Sequence, residues 1–520
     1  MWPYHLSARV PWHDNGWIGT VCENPEHNAS CTVLQNIQDN RNVNEEIPIA
    51  GREFQNVEID DRPPCVKEGV SFMADRSIVT HHDHPYSYLW ENLETTKLES
   101  PPYSVDVVPF ERMLDENAEK IGRDWDLDVN LDREPSETKG RDWVNDPENQ
   151  EALLEGFFDV LKPDKSLVFM YAQKTPLFEE KKPVLIGVGW VDDIPAVREY
   201  DGSDRGMRQL LWERPIPHSI RPDFSEGFVM PYADILEACD DQDVDPGRFA
   251  ARVPSATGTD FLYRAGLVNT DSALAALISL RDALELTNEE LDIDGPWDQV
   301  LSWLEDRIDE CWFDRGPCPG IRGVLGAAGV DGTAAASLEL HHHADGEDPW
   351  PLLAKACDGT GPSDSLVRYF SGMSGIRLKR TIEEEGEEYD LYRLLSRFSL
   401  SGDQVESWLD LEEASDALEN PYELYLKSRQ MEETISLQTI ERTIYGEKPE
   451  SGHDVGLATE WQDPPYDKPE RLEAIAVATL ENAKSKGHTW LPEEAIVSKS
   501  KDLVDHHPPS MKSGDMEILA

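Results

Sequence analysis

Three stretches in the second half of the chain decide how this sequence is interpreted. They are Leu391–Leu409 (LYRLLSRFSLSGDQVESWL), Asn420–Gly446 (NPYELYLKSRQMEETISLQTIERTIYG) and Arg471–Pro492 (RLEAIAVATLENAKSKGHTWLP). Ser401 and Gln404 form the Ser-x-x-Gln pattern of a capping box, which predicts a helix from there to Leu409. Asn420-Pro421 is typical of a helix start, and the third stretch repeats apolar residues at helical spacing. The region is therefore expected to be helical.

The composition indicates a folded, strongly acidic protein. A length of 520 residues suggests three or four domains, and 39% of the residues are hydrophobic. The 103 acidic residues outnumber the 48 basic ones and are spread along the chain, which gives a net charge of −55. Such a surface suits a salt-rich cytoplasm, where a Debye length of about 3 Å at 1 M screens self-repulsion. The alternative is a disordered acidic chain, but the 15 Trp residues and the apolar periodicity favour folding.

The sequence also bears on the compartment. It contains no apolar run of 18 residues, so no membrane span is expected. The first residues, MWPYHLSARVPWHDNGW, lack the basic start and apolar core of a signal peptide. Seven cysteines, an odd number, fit reduced thiols better than a disulfide framework. We therefore expect a cytoplasmic protein without a membrane partner.

The amino-terminal region carries a candidate metal site. Its possible ligands are Cys22, Cys31, Cys65, His81, His82 and His84. Such a set can supply four ligands to zinc or to an iron–sulfur cluster, although the spacing is not Cys-x-x-Cys. Buried cysteines packed as small apolar residues, beside a surface His-Pro turn, are the structural alternative. A hydrolase that uses His13, Asp14 and the cluster His81–His84 is a further alternative, but no nucleophile elbow or paired carboxylates support it.

The fold class expected from these patterns is a multi-domain α+β protein, with strands in the amino-terminal half and mainly helices in the C-terminal half. Strands are predicted at Leu167–Tyr171 and Val184–Val191, where Gly187 and Gly189 indicate a bulge or close packing. The predicted divisions are a Cys/His/Trp-rich domain (1–115), an acidic linker (116–150), a small barrel-like β domain (151–240), a helical domain (241–356), a linker (357–365), a helical region (366–500) and a flexible tail (501–520).

A basic surface is the candidate nucleic-acid site. Its residues are Gly372, Gly375, Arg377, Lys379, Arg380, Arg393 and Arg397. A glycine turn that opens a helix presents backbone N–H groups on which a phosphate can bind, and the cations after it would add charge. The last two arginines are four residues apart and share a helix face. The alternative is that all these cations pair with acids such as those of Glu383–Glu388.

The order of the three opening stretches resembles the region before the motor in RecD-like DNA helicases of superfamily 1 (exodeoxyribonuclease V alpha-subunit-like). The matching segments are Asn420–Tyr422, Ile435–Ile440 and Gly487–Pro492. Upstream, the segments Ser166–Ile194, His218–Glu237 and Trp297–Gly329 resemble the amino-terminal extension of some of these helicases. The resemblance implies helix-hairpin-helix elements that bind DNA backbones, and ATP-dependent helicase activity in family members.

No nucleotide-binding motif accompanies this resemblance. The pattern G-x-x-x-x-G-K-[ST] is absent, and its nearest counterpart, Gly326–Thr333, lacks the lysine. We therefore expect no ATP site and no catalytic residue on this chain. The implied function is that of an accessory DNA-binding region in DNA repair, recombination or defence, with weak, sequence-independent DNA binding and a helicase motor on another chain as partner. The alternative is a stand-alone, metal-stabilised interaction protein without a DNA role.

Overall fold

The fold belongs to the α+β class that the sequence predicts. In the computed structural model, 50% of the residues are helical and 13% are in strands, with strands mostly in the amino-terminal half and helices in the C-terminal half. The structure describes residues 4–28, 35–67, 78–82, 95–134, 142–178, 182–200, 208–221, 224, 226–253, 260–445, 468–485, 489–500 and 503–504. These residues form two units, which are described separately.

The sheet unit comprises the described residues of Pro3–Arg123 and Leu127–Ile308. Its strands are β1 (His5–Arg9), β2 (Ile78–His82), β3 (Thr96–Ser100), β4 (Ser104–Val107), β5 (Leu167–Ala172), β6 (Val184–Trp190), β7 (Arg198–Glu199), β8 (Leu210–Leu211), β9 (Arg214–Pro217), β10 (Gly227–Val229) and β11 (Ala265–Val268). Its helices are α1 (Gln35–Asn40), α2 (Val43–Glu46), α3 (Pro64–Lys67), α4 (Asp115–Asp124), α5 (Pro147–Phe158), α6 (Tyr232–Gln242) and α7 (Thr270–Glu290), and the unit boundary falls within α8 (Trp297–Arg315).

A five-stranded mixed sheet of order β10-β6-β5-β1-β11 is the centre of this unit. β1 runs parallel to β5 and antiparallel to β11, and β5 and β6 form an antiparallel pair. Every residue of β5 is buried, as expected for a strand covered on both faces. The strands predicted at Leu167–Tyr171 and Val184–Val191 are thereby confirmed. β2 pairs with β3, β4 with β9, and β7 with β8 in separate two-stranded ladders.

The two glycines of β6 are explained by close packing. A Cβ atom on Gly187 would lie 2.4 Å from the carbonyl oxygen of Phe228 in β10. A Cβ atom on Gly189 would lie 2.7 Å from the side chain of Ile220. Both distances are shorter than carbon atoms tolerate, so any larger residue would push the neighbouring backbone or side chain away.

The helical unit comprises the described residues of Asp309–Ala520 together with Asp124–Asp126. Its helices are α9 (Ile321–Ala327), α10 (Thr333–Ala344), α11 (Trp350–Cys357), α12 (Asp364–Tyr369), α13 (Met373–Glu384), α14 (Glu387–Leu395), α15 (Gly402–Leu409), α16 (Asp416–Glu419), α17 (Glu423–Ser428), α18 (Leu437–Tyr445), α19 (Pro469–Ser485) and α20 (Glu493–Ser500). One apolar core spans these helices and includes the buried Trp350 and Trp408. The capping box at Ser401 and Gln404 is present at the start of α15.

The units and the segments predicted from the sequence divide the chain differently. β1, from the predicted 1–115 domain, is hydrogen-bonded to β5 of the predicted 151–240 domain. The described part of 116–150, predicted as an acidic linker, contains all of α4 except its first residue, and the start of α5. Residues 357–365 connect α11 to α12 inside the helical unit. Of the predicted tail 501–520, only residues 503 and 504 are described.

Candidate functional site

The stretches that carry the family resemblance meet inside the helical unit. Arg471 of α19 pairs with Glu441 of α18, with 2.6 Å between Nη2 and Oε2. The hydroxyl of Tyr422, from the Asn-Pro-Tyr segment, donates to the other oxygen of Glu441 at 2.7 Å. All three side chains are buried. We call Tyr422, Glu441 and Arg471 the core triad; through it, the second and third of the opening stretches are held together.

The charges of the core triad stabilise one another. Burial lowers the pKa of Arg471, but its hydrogen bond to Glu441 and the charge of that carboxylate outweigh burial, so the pKa is raised. Burial, followed by the charge of Glu441, raises the pKa of Tyr422. Both side chains therefore keep their protons at neutral pH. An arginine matched by a carboxylate in this way does not titrate under ordinary conditions.

The start of α13 is the part of the predicted DNA surface that is open. Gly372 precedes the helix without a side-chain cap, and within the described part of the chain no acidic side chain lies in its first turn. Gly375 is buried, and a Cβ atom on it would lie 1.8 Å from the carbonyl oxygen of Phe370, so only glycine fits there. Met373 and Ile376 are 79% and 60% exposed beside the turn. The helix start therefore carries uncapped N–H groups next to exposed apolar side chains.

The cations that follow this turn are not equivalent. Lys379 Nζ lies 2.6 Å from Asp358 and 3.7 Å from Glu383. Arg380 Nε lies 2.6 Å from Glu384, four residues later on the same face. Arg377 is exposed and forms no ion pair with any described residue. Of the three cations that follow the turn, Lys379 and Arg380 are already paired with acids, and Arg377 is left without an acidic partner among the described residues.

The remaining two arginines of the predicted surface lie at the end of α14 and just after it. Arg393 pairs with Asp348 at 2.6 Å and lies over the ring of Trp350. Arg397 lies beyond the end of α14, and its carbonyl oxygen accepts from Thr443 Oγ1 at 3.2 Å. The alternative given from the sequence was that these cations pair with acids, and Arg393 does so.

The predicted metal ligands are placed in different surroundings. Cys31 and His84 lie outside the described residues. Cys65 is buried in α3, His81 is exposed in β2, and Cys22 lies 3.4 Å from His13 Nδ1. Among the described residues, no three His, Cys, Asp or Glu side chains form a group that can hold a metal ion. The contact between Cys22 and His13 was not expected from the sequence.

His82 belongs to a cluster that sequence reasoning missed. Its Nε2 atom lies 3.0 Å from Glu213 Oε2 and 3.2 Å from Thr80 Oγ1. Arg264 donates to the other oxygen of Glu213. Nearby, Ser100 Oγ donates to Asp106 at 3.0 Å. We call His82, Asp106, Glu213 and Arg264 the charge cluster; it joins the ends of β2 and β4 to the residues just before β9 and β11.

The pKa values of the charge cluster follow from burial and from the sharing of charge. Burial, followed by the negative charge of Glu213, raises the pKa of Asp106 to about 7. Burial raises the pKa of Glu213, but Arg264 and His82 outweigh it, so this pKa is lowered. Burial lowers the pKa of His82, but the hydrogen bond and charge of Glu213 outweigh it, so this pKa is raised. Asp106 and Glu213 are too buried to meet a substrate, so we assign the cluster to stability.

Comparisons of this chain with known proteins identify no relative. No protein-family model matches this chain, and no curated protein or solved structure matches it. The resemblance to RecD-like helicases therefore rests on the motif residues alone. Among the helices that the structure describes, none is both long and apolar enough to cross a bilayer.

Proposed function

We propose that this chain binds the backbone of DNA weakly and without sequence preference, at the start of α13, as an accessory region of a RecD-like helicase assembly. The observation that carries the proposal is the uncapped glycine turn at Gly372, followed by Arg377, an exposed cation that forms no ion pair with any described residue. A helix start of this kind favours phosphate because its free N–H groups and dipole face the anion. The motif order of the C-terminal stretches supports the link to helicases.

The position of Arg377 fits this role. It lies five residues after Gly372, about 7 Å along the helix axis at 1.5 Å per residue. Cα–Cβ bonds on a helix tilt toward its N-terminus, so an arginine at this position can reach back toward the turn. One phosphate on the N–H groups and a second on Arg377 make a small contact, which agrees with a protein whose net charge of −55 repels DNA elsewhere.

A cytoplasmic location is part of the same proposal. Cys22, Cys65, Cys239, Cys311, Cys318 and Cys357 are all unbridged. Cysteines that form no disulfide fit a reducing cytoplasm, where a DNA-processing assembly would work. The alternative is an interaction protein without a DNA role, for which the exposed Met373 and Ile376 would be part of a contact surface.

Fluorescence anisotropy with labelled single-stranded and tailed DNA tests the proposal. Arg377→Ala should weaken binding roughly five- to tenfold, because a charge-assisted contact to phosphate contributes about 1–1.5 kcal/mol. Arg380→Ala is the matched control, since Glu384 already neutralises Arg380 and its loss should change affinity less than twofold. Equal effects of the two variants, or no binding by the parent at moderate salt, would move the interaction-protein alternative ahead.

A further inference from the structure

Arg380 lies on the same exposed face of α13 as Arg377. Four exposed residues form a row on this face: Met373, Arg377, Arg380 and Glu384. Their spacings of four, three and four residues place them one above another along the helix. Leu378, on the opposite side, is buried in the apolar core of the helical unit. The face that carries Arg377 therefore continues to Arg380.

The spacing of the two arginines suits a nucleic-acid backbone. Arg380 is three residues beyond Arg377, which is about 4.5 Å along the helix axis at 1.5 Å per residue. Successive phosphates of one strand lie about 3.4 Å apart along the axis of duplex DNA. A strand with one phosphate on Arg377 can therefore bring a neighbouring phosphate near Arg380.

A carboxylate cancels the charge that Arg380 would offer to that phosphate. Arg380 Nε lies 2.6 Å from Glu384 Oε1, and the two side chains are 76% and 60% exposed. The hydrogen bond to Glu384, followed by the charge of that carboxylate, raises the pKa of Arg380, and the charge of Glu388 acts in the same direction. A phosphate beside the pair is attracted by the guanidinium and repelled by the carboxylate, so little net attraction remains.

Salt changes this balance. The Debye length is about 10 Å at 0.1 M salt and about 3 Å at 1 M. At 0.1 M, a phosphate that contacts Arg380 is affected by both charges, because only 2.6 Å separates the nitrogen from the oxygen. At 1 M, the more distant carboxylate of Glu384 is screened, whereas the direct contact with the guanidinium remains.

Lys379 differs from Arg380 in position and in pairing. It is two residues after Arg377, which turns its side chain to another side of the helix. Its Nζ lies 2.6 Å from Asp358 and 3.7 Å from Glu383. Loss of Glu383 therefore leaves Lys379 paired with Asp358, and leaves the pair on the other face intact.

We propose that Glu384 is an autoinhibitory residue, which withholds Arg380 from DNA at low salt and releases it as the salt concentration rises. This inference rests on the proposed DNA binding at the start of α13 and adds its regulation. The device makes DNA affinity fall less steeply with salt than it would with Arg380 always available. Such behaviour fits a protein whose net charge is −55.

Fluorescence anisotropy with labelled tailed DNA and the full-length chain tests this device. At 0.1 M salt, Glu384→Gln should bind about fivefold more tightly than the parent, because one more phosphate is neutralised. The slope of the logarithm of the binding constant against the logarithm of salt concentration should become steeper by about 0.7–0.9. The gain in affinity should therefore fall below about twofold as the salt concentration approaches 1 M.

Two further variants separate this effect from a general change of charge. Glu383→Gln removes the same charge one residue away but leaves the pair of Arg380 and Glu384 intact, so it should change affinity less than about twofold. Combining Glu384→Gln with Arg380→Ala should abolish the gain, because the released cation is then absent. Circular dichroism checks that each variant keeps its helices.

Three results would overturn the inference: equal gains in Glu383→Gln and Glu384→Gln, a gain that persists without Arg380, or an unchanged salt slope in Glu384→Gln. If the parent binds DNA through Arg377 but Glu384→Gln binds no more tightly, this inference fails and the proposed function stands. If neither the parent nor Glu384→Gln binds DNA, both fail.

Discussion

The helical unit and the sheet unit each bury an arginine beside a glutamate, but the two environments differ. In the core triad, Glu441 is shared between Arg471 and the hydroxyl of Tyr422, and both donors keep their protons at neutral pH. In the charge cluster, Glu213 is shared between Arg264 and His82, with Asp106 close enough to be affected by its charge. The first arrangement is insensitive to pH near neutrality, whereas the second gains or loses protons there. Burial of charge alone therefore does not identify a functional site.

The largest expected effect comes from breaking the core triad. Glu441→Gln leaves the buried guanidinium of Arg471 without its counter-charge, which should lower the free energy of unfolding by about 3–5 kcal/mol. Urea denaturation followed by circular dichroism measures the change. Glu441→Leu combined with Arg471→Met should recover most of the loss, because it removes both charges together. A single variant that loses less than about 1 kcal/mol would show that water reaches Arg471.

An intermediate effect is expected at Asp106. Its folded-state pKa of about 7 lies above the ordinary value of 3.8, so the stability it contributes is fully present below about pH 4. That contribution is lost as the pH rises toward 7. Asp106→Asn cannot ionise and should therefore be more stable than the parent at pH 8, by on the order of 2 kcal/mol. Thermal unfolding at pH 5 and pH 8 measures this, and an Asn variant that is equally destabilised at both values would contradict a titrating Asp106.

The smallest effect is expected at His82. Because its folded-state pKa is raised, its contribution is present below the ordinary value of 6.5 and is lost as the pH rises through the folded-state pKa. His82→Gln should therefore lower the free energy of unfolding by about 1 kcal/mol at pH 5.5 and by less at pH 8.5. Unfolding curves at the two pH values provide the comparison. The exposed His81→Gln is the control, and a larger loss at pH 8.5 than at pH 5.5 would exclude a charged His82.

The sequence predicts the local features of this fold better than the contacts between residues that are far apart in the chain. The capping box at Ser401 and the strand at Leu167–Tyr171 were predicted because each pattern is contained in a few residues. β1 was missed because it is short, and its partner β5 lies about 160 residues away. The pairing of Arg380 with Glu384 was readable from their four-residue spacing, whereas the pair of Lys379 and Asp358 is formed by the fold.

The same distinction applies to the candidate sites. The glycine turn before α13 was predicted from the sequence, and Gly372 does precede that helix. Among the described residues, Arg377 is the cation after this turn that has no acidic partner, and this result depends on tertiary contacts such as that of Lys379 with Asp358. Likewise, Cys22 was singled out from the sequence, but its neighbour His13 was assigned to another role, because residues 10–28 have no periodicity from which their packing can be derived.

The salt dependence of DNA binding is the most direct test of whether the chain binds DNA through the start of α13. With labelled tailed DNA, the slope of the logarithm of the binding constant against the logarithm of salt concentration counts the phosphates that protein cations neutralise. A contact limited to the start of α13 predicts a slope no steeper than about −3, and Arg377→Ala should make it shallower by about 1. A parent slope of about −6 or steeper, or the same slope in Arg377→Ala as in the parent, would contradict DNA binding at this surface.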